Sequence, residues 1–468
     1  MTEQNFYEFP KESKSEWEER IRKELKGKNF EESLQSKLWD ELTIQPFYTK
    51  DDLSREVSQI RFHPASDLPG IAPRHWDNVV AIYTGEEKVS NKEILNALEN
   101  GAEGLILHLD GSENVNQLLR SVHTEYIQLY IRPTGDISLV LNQLNDWLKS
   151  IQLKPSMLRG ALLWSPTDEL FRETTALDEV LMKVSESIEL FREFPDFLPL
   201  SIDFAKYLNT GGDGIQQLTN GFGELIELVD HLVKKGVSAR TIFDKSAFHL
   251  AVGKDYFPEI AKLKAFRTLL IGLAHTFGVP VIAESIHVIV STGSWDKSLL
   301  DKNNNLIRQT FEAMSAIHGG CNSLWVNPAE GKDATVLEAR IARNVSTILR
   351  EESYLDKVMD PAAGSYFIET IAFEIEEKVI EQIKILEKNG GWLKSFEERK
   401  LHGEIRQTRI EKQRDILKNN DIKVGVNKYQ LEHDLSNQVS IEEFEEKENE
   451  LLPARASYLA EIQKTNKS

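Results

Sequence analysis

The chain has one cysteine, Cys321, among 468 residues. One thiol cannot close a disulfide within the chain or build a cysteine-based zinc site. A cytoplasmic protein is the expectation, because a reducing compartment suits such a chain. Basic residues are also in deficit: 56 lysines and arginines face 75 aspartates and glutamates, a net charge of −19. Nucleic acids and anionic membranes are polyanions, so neither is expected as a partner. An anionic small molecule stays compatible, since it needs only a local basic patch. No run of 18 apolar residues occurs, so no membrane span is expected. The opening Met-Thr-Glu-Gln-Asn-Phe-Tyr-Glu-Phe-Pro has no basic start and no apolar stretch, and the expectation is that no secretory signal is present.

Several sequence-local devices are missing as well. Neither the Gly-x-Gly-x-x-Gly fingerprint nor the Walker phosphate loop occurs, and Gly-x-Ser-x-Gly is absent. Gly211-Gly212-Asp213-Gly214 reads as a turn rather than a phosphate cradle. No two histidines sit at metal-ligand spacing on one expected helix.

What is present is a regular alternation. Apolar runs recur at Val79–Tyr83, Gly104–Leu109, Tyr126–Ile131, Gly160–Trp164, Pro199–Phe204, Phe248–Val252, Val279–Ala283 and Asn322–Val326. Amphipathic stretches lie between them, among them Asn91–Asn100, Leu139–Leu148, Leu177–Phe191, Ile215–Lys235, Tyr256–Phe277 and Asn305–Ile317. Near-continuous apolar strands alternating with helices signal a parallel sheet covered by helices. Eight such units over about 270 residues predict an α/β fold of the (β/α)8 TIM-barrel type. A doubly wound open sheet is the second reading.

In a barrel, chemistry gathers at the carboxyl ends of the strands. Those ends supply Thr84-Gly85, His108 and Asp110, Arg132-Pro133-Thr134, Trp164-Ser165, Asp203, Gly253-Lys254-Asp255, Glu284-Ser285 with His287, and Asn327-Pro328. This is a polar rim without a convergent set of acids or histidines. His108 and His287 read as hydrogen-bonded rim side chains. No catalytic, cofactor-binding or metal-ligating residue is assigned from the sequence.

The barrel is expected over 76–365, preceded by an arm over 1–75. Ser15 and Glu18 have capping-box spacing at a helix anchored by Trp17 and Ile21. After 365 a charged helical extension reaches 468. It includes Phe373–Glu387 and Phe396–Leu417, and its acidic tail contains Glu442-Glu443-Phe444-Glu445-Glu446. That tail reads either as loosely held or as an arm around a partner.

Four stretches carry a resemblance. They are Gly253-Lys254-Asp255-Tyr256-Phe257-Pro258-Glu259-Ile260-Ala261-Lys262; Asn304–Arg308 with Glu312-Ala313-Met314 and Gly319-Gly320; the run from Ser323-Leu324 and Asn327 through Ile341-Ala342-Arg343-Asn344 to Asp360-Pro361 and Ala363-Gly364-Ser365-Tyr366; and Gly425-Val426-Asn427-Lys428-Tyr429. In this order they resemble the barrel half of the adenosylcobalamin-dependent acyl-CoA mutases, specifically the methylmalonyl-CoA mutase family. Leu25-Lys26-Gly27 and Pro46-Phe47-Tyr48-Thr49 are similar to the family's small partner subunit.

The departures matter as much. Lys206-Tyr207 stand where the resemblance implies a Tyr-His pair. Trp325 replaces the histidine of the family's Ser-Leu-His-Thr-Asn, and Leu163 replaces the glutamine of Gly-Thr-Ile-Gln-Asn-Asp. Arg172 lies near the place of the family's carboxylate-binding arginine, out of register. None of the eleven histidines has aspartate two residues before it, so the family's Asp-x-His-x-x-Gly cobalt-ligating motif is missing. The expectation is that no cobalamin-binding Rossmann-like domain is present.

The resemblance therefore implies a small, non-catalytic subunit of a heterodimer. A large catalytic subunit would carry adenosylcobalamin and interconvert methylmalonyl-CoA and succinyl-CoA, in propionate metabolism. Leucine and tryptophan in place of polar groups favour a filled barrel over one that holds substrate. Two alternatives stay open: a substrate-binding barrel working with a separate cobalamin-binding chain, and an unrelated barrel enzyme or scaffold.

Overall fold

The computed structural model describes residues 12–57, 61–63, 72–151, 154–172, 176–430, 441 and 444–465. Its centre is a single parallel sheet. We label the strands β1 (Asp77–Tyr83), β2 (Gly104–Leu109), β3 (Gln128–Pro133) and β4 (Arg159–Leu162). The fifth, β5, has two pieces (Phe197–Leu198 and Leu200–Asp203); β6 (Ser246–Val252), β7 (Val288–Thr292) and β8 (Ser323–Trp325) complete the set. Consecutive strands are neighbours, and β8 returns to β1 with Ser323 opposite Asp77. The first piece of β5 pairs with β4 and the second with β6. Only Pro199 separates the pieces, and proline has no N–H to give a ladder. The sheet therefore closes, and the fold is a (β/α)8 barrel.

The seventh strand is not where the apolar pattern put it. Val279–Ala283 lies outside the sheet, and β7 is Val288–Thr292, with Ile289 beside His249. Pro280 interrupts the first run, and Ile282 is 64% exposed. Val288-Ile289-Val290 is an unbroken β-branched run that can donate throughout, and it wins the sheet position. This shift moves Glu284, Ser285 and His287 from the carboxyl rim to the opposite end of the barrel.

Helices cover the outside. Gly214–Lys234, Tyr256–Thr276 and Lys302–His318 bury apolar faces against the outward side chains of β5 to β8, and Tyr366–Lys388 packs over two of them. Gly221 marks one tight crossing: a β-carbon there would meet the Phe204 ring at 2.0 Å.

The first described helix is Lys14–Glu24, and its capping box is Ser13 with Glu16, two residues before the expected pair. Its Trp17 packs on Phe30 and Phe47, at ring distances of 6.4 and 5.0 Å. A short antiparallel pair follows, Ser36–Leu38 with Leu42–Ile44. This segment lies on the chain's own body: Trp39 Nε1 donates to Asp255 at 3.1 Å, Arg55 pairs with Glu376 at 2.6 Å, and Tyr48 packs on Phe367.

The described part of the acidic tail is also docked, contrary to the reading of it as loosely held. Residues 442 and 443 lie outside the described residues. Glu446 pairs with Arg406 at 2.7 Å and Arg409 at 2.5 Å, both on helix Lys400–Leu417. The backbone N–H groups of Ala454 and Ala456 donate to Asn209 and Trp295 beside the barrel mouth. Glu461 is fully buried and accepts from Ser457 at 2.6 Å and Ser298 at 3.1 Å. Acidity in the sequence signalled solvation; buried arginines and hydroxyls turned it into anchoring.

Candidate functional site

Side chains on a strand alternate between faces, so every second residue of each barrel strand points into the lumen. The inward set forms an apolar layer: Val79, Ile106, Tyr130, Ala161, Ala247 and Ile289, with Leu163 and Trp325. All eight are buried; Leu163 and Trp325 are 7% and 6% exposed. Leu163 and Trp325, read from the sequence as bulk in place of polar groups, do fill the lumen. At the amino end of the strands the Tyr130 hydroxyl meets His287 Nε2 at 2.7 Å and Ser323 Oγ at 2.6 Å. Burial pushes the His287 pKa down to about 4, so its ring is neutral near pH 7.

A polar cluster sits at the carboxyl end. His249 Nδ1 approaches Asp203 Oδ1 to 3.0 Å, and its Nε2 is 3.0 Å from Ser291 Oγ. Arg132 donates to Asp203 Oδ2 at 3.2 Å, and its guanidinium lies 5.7 Å from the Trp325 ring. That indole stacks on His249 with 5.8 Å between centroids and an interplanar angle of 28°. Burial by itself raises the Asp203 pKa, but His249, Arg132 and Lys206 outweigh it and hold the carboxylate well below the usual range. His108 stacks on Tyr83 at 4.3 Å, and burial, helped by Arg132, takes it down to about 3.

Of the rim residues read from the sequence, the barrel brings His108, Arg132 and Asp203 together, while several others bond elsewhere. Asp110 is exposed and accepts from its neighbour Ser112. Lys254 pairs with Asp421 at 2.6 Å, and Asp255 receives Trp39. Ser165 belongs to a closed network around Glu224, which is fully buried. There Glu224 accepts from Ser165, from Thr167 and, at 2.9 Å, from Tyr207 Oη. It also pairs with Lys206 at 2.8 Å. Lys206 reaches Asp168 at 2.7 Å, and Trp392 donates to Tyr207 Oη at 3.0 Å. Lys206 is therefore spent on Asp168 and Glu224 within the barrel, and Tyr207 ties the helical extension to it through Trp392. The side chain of Arg172 lies outside the described residues.

Sequence reasoning passed over His249 and gave Ser291 no role of its own. Both lie inside apolar strands, where a lone polar residue at an inward position is the only local signal. Which strands are adjacent decides that they meet.

The cluster holds one ionised carboxylate, one imidazole within reach of it, one hydroxyl and one guanidinium. It can pass a proton between oxygen and nitrogen or bind a small polar group. Among the described residues no three His, Cys, Asp or Glu side chains gather to hold a metal ion, and no described helix is long and apolar enough to cross a membrane.

The family model described as methylmalonyl-CoA mutase matches residues 109–468. The methylmalonyl-CoA mutase small subunit of Porphyromonas gingivalis is 26% identical over 449 residues, covering 91% of this chain and 71% of that protein. The small subunit of Streptomyces virginiae is 26% identical over 444 residues, again 91% and 71%. The mitochondrial methylmalonyl-CoA mutase of Bos taurus is 27% identical over 476 residues, covering 90% of this chain and 61% of that one.

Proposed function

The chain belongs to the methylmalonyl-CoA mutase family, and we propose that it is the small, non-catalytic subunit of a heterodimeric mutase. In this reading a large chain carries adenosylcobalamin and interconverts methylmalonyl-CoA and succinyl-CoA, and this chain stabilises it. The filled lumen carries the reading. A barrel that runs this chemistry needs an open bore for an acyl thioester and a mouth that receives the cofactor's adenosyl group. Here Trp325, Leu163, Ile106 and Tyr130 occupy the axis, and Lys206 and Tyr207 are committed to Glu224. The mouth residues do not fit that cofactor.

Two features support association as the role. The small subunits of P. gingivalis and S. virginiae are similar along nine tenths of this chain. The helical surface also leaves large apolar side chains uncovered: Phe257 is 50% exposed, Ile307 57% and Phe311 54%, more than a chain of this acidity needs for its own fold. The division into arm (1–75), barrel (76–365) and extension (366–468) belongs to the same reading, with arm and extension offering contact surfaces. A barrel that binds substrate beside a separate cobalamin-binding chain is the competing reading, and the same filling opposes it.

Co-expression with a family large chain from the same source tests the proposal. The expected result is a stoichiometric complex whose large chain melts higher and retains more mutase activity than when it is expressed alone. A large chain equally stable and active without this one overturns the assignment. Heat released when an acyl-CoA is titrated into this chain alone favours the competing reading.

A further inference from the structure

We propose that Asp203, His249 and Ser291 form a nucleophilic relay at the barrel mouth that cleaves a small acyl ester. This activity is separate from the mutase reaction and needs no second chain. Three neighbouring strands bring the groups together: Asp203 ends β5, His249 lies in β6 and Ser291 in β7. Their spacing is what nucleophilic catalysis requires. A hydroxyl lies 3.0 Å from an imidazole nitrogen, and the other nitrogen lies 3.0 Å from a carboxylate. Such a constellation is recognised by geometry and not by its order in the chain. An ionised Asp203 favours the proton on Nδ1, which leaves Nε2 to accept from Ser291.

The step balances. Ser291 Oγ forms a bond to the acyl carbon as its proton passes to His249 Nε2. The bond from that carbon to the leaving oxygen then breaks, and His249 returns the proton to the departing alcohol. Water repeats the exchange: its oxygen joins the acyl carbon, its proton goes through His249 to Ser291 Oγ, and the acid is released.

A second, independent observation points to a ligand. Trp325 sits beside Ser291 in the β7–β8 register, is 94% buried, and its indole N–H has no partner. It is an unpaired donor on the strand next to Ser291. His108 Nε2 and Asn327 Oδ1, at the same end of the barrel, are also buried without partners. Each is a polar group desolvated without a hydrogen bond in return. Opening this roof of unpaired groups at the carboxyl end of the barrel to water or substrate would satisfy them.

A fluorophosphonate probe, which bonds to activated serine hydroxyls, tests this on the full chain alone. The expected result is an adduct on the peptide carrying Ser291. It should be absent in Ser291→Ala and form about a hundredfold more slowly in His249→Gln. The wild type should also release p-nitrophenol from p-nitrophenyl acetate, with Ser291→Ala reduced to the buffer rate. No adduct on Ser291 in the wild type overturns the proposal, and that result needs no variant to fold. An adduct formed equally fast in a folded His249→Gln also overturns it, because the imidazole would then do nothing. Neither outcome bears on pairing with a large chain, so this proposal and the subunit assignment stand or fall separately.

Discussion

Two substitutions of Trp325 separate the value of its bulk from the cost of its polar atom. The side chain is 6% exposed, lies 5.7 Å from the Arg132 guanidinium, stacks on His249 and meets His108 edge-on at 6.2 Å. Truncation to alanine leaves a void between strands that cannot move together, because the barrel is a closed ring. The loss is about 3–5 kcal/mol, the range for emptying a buried aromatic site, and it includes an aromatic–cation contact of roughly 0.5–2 kcal/mol. Phenylalanine keeps a ring near both partners. It gives up about one or two methylenes of packing, about 1–2 kcal/mol, and it removes an N–H that is buried without a partner, which returns about 1–3 kcal/mol. Trp325→Phe is therefore expected within about 1 kcal/mol of the parent, and Trp325→Ala far below it. Urea midpoints at an unchanged slope measure both. If Trp325→Phe is as damaging as Trp325→Ala, the indole nitrogen has a partner and the reasoning about the roof fails.

Removing the Glu446 carboxylate strands two guanidinium groups against helix Lys400–Leu417. Glu446→Ala should cost about 3–5 kcal/mol locally, and amide exchange over 444–465 should accelerate while the barrel strands stay protected; unchanged exchange there would refute the anchoring role. Acid should weaken the fold through three imidazoles that burial keeps neutral. His108, His287 and His402 lie near pH 3, 4 and 4 in the folded chain, against about 6.5 when unfolded. The unfolded chain takes up protons first, so each contribution is complete above about pH 6.5 and fades as pH falls toward 4, at up to about 1.4 kcal/mol per pH unit per ring. Glu312, raised to about 7 by burial against the pull of Lys297, works oppositely: it weakens the fold as pH rises from about 4.5 to 7. The decisive measurement is thus the difference between parent and His287→Gln in midpoint shift from pH 7 to pH 5. The variant should lose less, and equal shifts would refute the assignment of a neutral buried ring.

By itself the sequence determined the architecture, because eight apolar runs separated by amphipathic stretches have few ways to bury both faces of a sheet. It also placed Trp325 and Leu163 in the lumen, since positions along β8 and just past β4 keep the alternation of faces. Distance along the chain said nothing about which run became β7. Val279–Ala283 and Val288–Thr292 are both apolar, and the choice fell to the strand whose N–H groups could all pair with β6. The same blindness hid the mouth. Asp203, His249 and Ser291 are about 40 residues apart in sequence, and only the pairing of β5, β6 and β7 sets His249 3.0 Å from each of the others. The acidic tail shows the limit from the other side: charge told of an affinity for water, while the partners that fixed Glu446 and Glu461 lay on elements folded long before it in the chain. Periodic burial is a local property and can be read locally. Pairing of single polar groups is set by contacts between distant segments, and it exists only once the barrel does.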